Sequence, residues 1–68
     1  MYKEDIINHL KKRVEEEKED VLIYKMLAEE CDKNGYQDYA RILYDIAHDE
    51  SSHTLYISKI IDEYTKRS

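Results

Sequence analysis

Along the first half of the chain the apolar residues Ile7, Leu10, Val14, Val21, Tyr24, Ala28 and Cys31 recur at alternating steps of three and four. That spacing keeps side chains on one face of a helix. The place that would complete the row holds Glu17. In the second half Tyr39, Leu43, Ile46, Ile57, Ile60 and Tyr64 follow the same rule, and the two remaining places hold Glu50 and His53. A second row, Ala40, Ala47, Thr54 and Ile61, widens this face beyond what one partner helix covers, as on the inner face of a bundle. Between the halves lies Asn34-Gly35, the only turn dipeptide in a chain without proline. The pattern predicts an all-α fold, an antiparallel helical hairpin forming a single domain over residues 1–68. Gly35 suits the left-handed position just past a helix end, with Tyr36 placed to cover Cys31. Glu4 and Asp5 fall at one helix start and Asp38 at the other, and Lys66 and Arg67 fall at the final C-terminus. All of these charges complement the helix dipoles.

Composition narrows the picture. A chain of 68 residues with 41% hydrophobic residues, neither Phe nor Trp, and 40% charged residues buries only roughly 60% of its unfolded surface. A self-sufficient monomer is therefore not expected. The 11 basic against 16 acidic residues give a net charge of −5, the wrong sign for binding phosphate backbones, so nucleic acid is not an expected partner. Cys31 stands alone, which removes intrachain disulfides and CxxC motifs and fits a reducing compartment. No apolar run approaches the ~18 residues of a membrane span, and the opening residues lack the layout of a signal peptide. The expectation is a cytoplasmic protein without a membrane partner, whether free or as cargo of a larger assembly. The basic run 11–13 and the acidic run 15–17 mostly fall on outward positions; only Glu17 is singled out by phase.

The three ionisable seam residues share one height. Glu17 lies 18 residues before Gly35, whereas Glu50 and His53 lie 15 and 18 after it, so at a constant rise per residue an antiparallel hairpin brings them level. Glu50 and His53 are also three apart, on one helix face, with the Glu-x-x-His spacing of carboxylate-bridged metal sites. A lone seam Glu is usually a register device and a lone seam His a hydrogen-bonded core residue. Two carboxylates and an imidazole together, with no seam Lys or Arg to pair them, are costly to bury unless a cation compensates. A hairpin with so wide an apolar face closes most simply by two-fold dimerisation into a four-helix bundle. Symmetry then supplies four Glu and two His, the ligand set of a dinuclear carboxylate site, in which four negative charges balance two divalent cations. Oxygen and imidazole donors without thiolate suit iron or manganese better than structural zinc.

Glu17, Tyr24, Leu27-Ala28, Gly35-Tyr36 and the run Ile46-Ala47-His48-Asp49-Glu50-Ser51-Ser52-His53 resemble the first helical hairpin of rubrerythrin, in the ferritin-like superfamily, over roughly residues 14 to 60. The resemblance implies that Glu17, Glu50 and His53 ligate iron, with Glu50 bridging. Rubrerythrins usually carry two such hairpins in one chain, so here a homodimer would replace the duplication, as in encapsulated ferritins. The same resemblance makes Tyr24 a candidate for hydrogen-bonding a ligand carboxylate, although it is equally a core filler among seven tyrosines. It makes Asp20 a candidate additional carboxylate, the competing reading being a surface residue. His9, His48 and Asp49 are off the seam and receive no role. The rubredoxin module, which needs four cysteines, has no counterpart in this sequence.

The function expected from these readings is a dinuclear iron protein, a ferroxidase or an oxidoreductase acting on peroxide or dioxygen, with two Fe ions per dimer and Mn or another divalent metal as a substitute. Ligand geometry by itself supports only dinuclear metal binding; the oxidation chemistry comes from the resemblance. The alternatives are a metal-binding or storage domain without turnover, and a metal-free dimeric interaction module.

Overall fold

The computed structural model describes residues 3–67. Two helices of equal length, α1 (Lys3–Lys33) and α2 (Gln37–Arg67), fold back on each other. At ~1.5 Å per residue each helix is about 46 Å long, and the molecule measures 51 × 15 × 14 Å. Its radius of gyration is 15.6 Å, against about 11 Å for a compact domain of this length. The hairpin is a rod.

The turn is built by hydrogen bonds that finish α1. Gly35 takes φ +84°, its N–H donates to the Asp32 carbonyl at 3.2 Å, and the Tyr36 N–H donates to the Cys31 carbonyl at 2.8 Å. This pair of bonds is the Schellman arrangement, which satisfies carbonyls that the helix end would otherwise leave open. The Asn34 side chain adds a bond from Nδ2 to the Glu30 carbonyl at 2.7 Å. α2 starts at once, with the Ala40 N–H donating to the Tyr36 carbonyl. Tyr36 itself is largely exposed, and its ring stacks on that of Tyr39 with centroids 5.8 Å apart. Glu4, Asp5 and Asp38 lie in first turns as expected, and Lys33 lies in the last turn of α1.

The α1 seam is as its periodicity predicts. Ile7, Val14, Glu17 and Ala28 are buried, and Leu10, Val21, Tyr24 and Cys31 are half-buried. On α2 the interface is rotated from the expected row. Ala40 and Ala47, each 2% exposed, carry the contact, flanked by the half-buried Leu43, Glu50, Thr54, Ile57, Ile61 and Tyr64. Tyr39 and Ile60, expected in the seam, are 61% and 51% exposed, and His53 is exposed as well. The reason is steric: alanine methyls let α1 approach closely, so the small-residue row is drawn into the two-helix contact. The Thr54 hydroxyl is tolerated there because it donates to the Glu50 carbonyl at 2.9 Å.

One side of the hairpin is thus left apolar and open. By helical phase Tyr39, Ile46, His53 and Ile60 lie along that side on α2, and Ile6, Arg13, Asp20 and Leu27 lie along it on α1. Ile6, Leu27, Tyr39 and Ile60 are exposed large hydrophobic residues. No helix of the described residues is long and apolar enough to cross a membrane.

A Cβ at position 35 would meet nothing within 4 Å, so the cost of substitution is the left-handed backbone alone. Gly35→Ala should destabilise the protein by about 1 kcal/mol and Gly35→Asn by less, read from urea unfolding at fixed protein concentration.

Candidate metal centre

Near the middle of the rod, one ligand atom each from Glu17, Glu50 and His53 lie within 4.8 Å of one another. The convergence follows from chain geometry. The Schellman turn fixes where α2 begins, and the constant rise of both helices then brings residue 17 level with residues 50 and 53. Glu50 and His53 share a helix face because they are three apart.

The three differ in environment. Glu17 is 6% exposed, and it is the buried polar or charged residue among the described side chains. Its Oε2 is buried without any hydrogen-bond partner. Glu50 is half-buried and His53 is exposed, so the group opens onto the apolar side of the hairpin. Sequence phase alone placed all three inside. The displaced α2 interface explains the difference, since His53 lies one row outside the alanine contact.

The Glu17 carboxylate is also not without a cation. Arg13, one turn earlier, reaches Glu17 Oε1 with Nη2 at 3.4 Å, and its Nη1 lies 3.6 Å from Glu16 Oε2. The expectation that no basic residue would pair the seam carboxylates is corrected here. Arg13 occupies a position flanking the seam, and its long side chain bridges back over one turn. The i to i+4 spacing was the available sequence signal, hidden within a charge run that reads as a solvated face.

The secondary candidates stay at the margin. Tyr24 is half-buried one heptad beyond Glu17, and its hydroxyl makes no hydrogen bond among the described residues. Asp20 is half-buried on the open side, three residues from Glu17. His9, His48 and Asp49 are exposed and outside the group.

A divalent cation suits this donor set. The set offers carboxylate oxygen and imidazole nitrogen, one carboxylate oxygen is buried and unsatisfied, and three donors converge on one point. Glu17, Glu50 and His53 would hold such an ion, and His53, the exposed member, leaves the group open to solvent.

Comparison with known proteins agrees with this chemistry. The family model described as Rubrerythrin matches residues 8–68. Neither the curated proteins nor the solved structures give a match. The family match together with the Glu, Glu and His group fits iron binding.

In the metal-free protein the buried carboxylate is a liability. Glu17→Leu should raise stability in chelator by about 1–2 kcal/mol, because an incompletely satisfied buried ion is replaced by a packed apolar side chain. Urea unfolding of the chelated proteins measures it, and a loss of stability would mean that the Arg13 contact satisfies Glu17 fully.

Proposed function

This chain belongs to the rubrerythrin family, and from that premise we propose that it is a dinuclear iron protein whose centre is shared between two copies of the chain. Its proposed activity is that of a ferroxidase or of an oxidoreductase reducing peroxide or dioxygen. The observation that carries this reading is the convergence of donor atoms of Glu17, Glu50 and His53 within 4.8 Å of one another, with Glu17 buried and one of its oxygens unpartnered.

The second copy follows from what the hairpin leaves undone. Its described core contains five buried apolar residues, three of them alanines, while twelve large hydrophobic residues remain exposed. A monomer of this kind lacks the buried area that folded domains need. A two-fold partner laid on the open side covers Tyr39, Ile46 and Ile60 and brings a second Glu17, Glu50 and His53 to the first. Four carboxylates then balance two divalent ions, and six protein donors replace three.

Each residue has a distinct task in this arrangement. Glu17 supplies a carboxylate from the interior of the hairpin, where it is 6% exposed. Glu50 and His53 supply a carboxylate and an imidazole from one face of α2, and Glu50 is the candidate bridge. Tyr24 can hydrogen-bond a ligand carboxylate once the partner closes over it, and Asp20 can offer one further carboxylate at the edge. Two bound irons supply the capacity to pass two electrons to an oxidant. The surrounding apolar stripe keeps bulk water from the carboxylates when the dimer forms.

Anaerobic loading with Fe(II), followed by sedimentation equilibrium and elemental analysis, should give a species of twice the 8.2 kDa chain mass carrying about two irons. An oxygen or peroxide pulse should then oxidise the bound iron, and with excess Fe(II) added as electron donor the oxidant should be consumed over repeated cycles. Glu50→Ala and His53→Ala should each lower the iron content; unchanged content in both would remove these residues from the site. Iron held without redox change would make the protein a metal store. A stable 8.2 kDa helical monomer at micromolar concentration would remove the shared centre.

A further inference from the structure

Arg13 is held between two carboxylates of opposite character. Its guanidinium lies 3.4 Å from Oε1 of the buried Glu17 and 3.6 Å from Oε2 of Glu16, which stands half in solvent. The Arg13 side chain is itself 53% exposed, so its contact with Glu17 ties down an interior ligand from outside. Glu17 is also one of the three residues whose donor atoms converge. A fixed positive charge and a divalent cation therefore seek the same carboxylate, and each repels the other.

Resting on the metal-centre reading above, we infer that Arg13 is a displaceable counter-ion, which holds the Glu17 carboxylate when no metal is bound and shifts onto Glu16 when Glu17 turns to a cation. Three features support the shift. Glu16 and Glu17 lie three and four residues after Arg13, so both are within reach from one helical position. The contact at Glu17 is single, through Nη2 alone, whereas guanidinium pairs of high strength are bidentate. The side chain is 53% exposed in the single hairpin, so it is free to shift before a partner closes over that side. Arg13 is a positioning residue: it sets how much of the metal's binding energy is spent on releasing Glu17, and it keeps the interior carboxylate paired until then.

The test uses Mn(II), which binds without redox turnover, on the full chain at fixed concentration. Arg13→Gln should tighten Mn(II) binding about five- to tenfold and lower the melting temperature in chelator, because Glu17 loses its counter-charge. Arg13→Lys, which keeps the charge, should bind Mn(II) within about twofold of wild type. Glu16→Gln should weaken binding when Arg13 is present and have a smaller effect in the Arg13→Gln background, a coupling that a general loss of acidity at the surface does not produce. Binding by wild type with no tightening in Arg13→Gln overturns the role of Arg13 and leaves the metal centre standing. Absence of Mn(II) binding in wild type and in Arg13→Gln alike overturns the centre, and this role with it.

Discussion

A carboxylate buried between two helices is the constraint to which the rest of the molecule answers. Glu17 is 6% exposed and has one oxygen without any partner, while the other buried side chains among the described residues are apolar. In an interior of this kind an ion is retained only where something compensates it. One compensation is visible, the Arg13 guanidinium reaching in from one turn away. It reaches Oε1 and leaves Oε2 without a partner, in a carboxylate that also lies beside Glu50 and His53. A charge left half satisfied in this way gives the neighbouring donors a common object, and a divalent cation is the simplest one that fits the donor chemistry.

The alanine contacts between the helices determine where that object sits. Ala28, Ala40 and Ala47 are the most buried residues of the hairpin, and their small side chains bring α1 and α2 close on one side. Tyr39, Ile46 and Ile60 of α2 are consequently left on the other side, along with His53. A single hairpin cannot cover them. The packing that makes the two-helix unit thus also makes it incomplete, and the unfinished metal centre and the unfinished core lie on the same side. In the proposed dimer a second copy closes both at once, which is the physical basis for proposing dimerisation and metal binding as one event.

Much of this was legible in the sequence. Asn34-Gly35 located the turn because a left-handed residue after a helix nearly demands glycine, and Gly35 adopts φ +84°. The step of three and four located the α1 face, since every buried residue of α1 lies on it. Counting residues from the turn brought Glu17, Glu50 and His53 level, because helical rise is constant. Periodicity could not choose between the row of Tyr39, His53 and Ile60 and the row of Ala40, Ala47 and Thr54, which lie one residue, about 100°, apart. Size decided instead, the alanines going inward and Tyr39, His53 and Ile60 outward. The Arg13 contact was also hidden, because a residue flanking the seam gives no phase signal and long side chains reach beyond their own row.

The central claim is that the seam carboxylates exist to hold metal, and a pair of thermal melts at fixed protein concentration tests it most directly. One is recorded in chelator and the other anaerobically in excess Fe(II). An ion that binds the native protein and not the unfolded chain stabilises by mass action, about 4 kcal/mol at a thousandfold excess over its dissociation constant. For a chain this small that is a rise in melting temperature well above ten degrees. Equal melting temperatures in the two conditions would contradict a metal site at Glu17, Glu50 and His53 and would leave the hairpin as a metal-free dimerisation module.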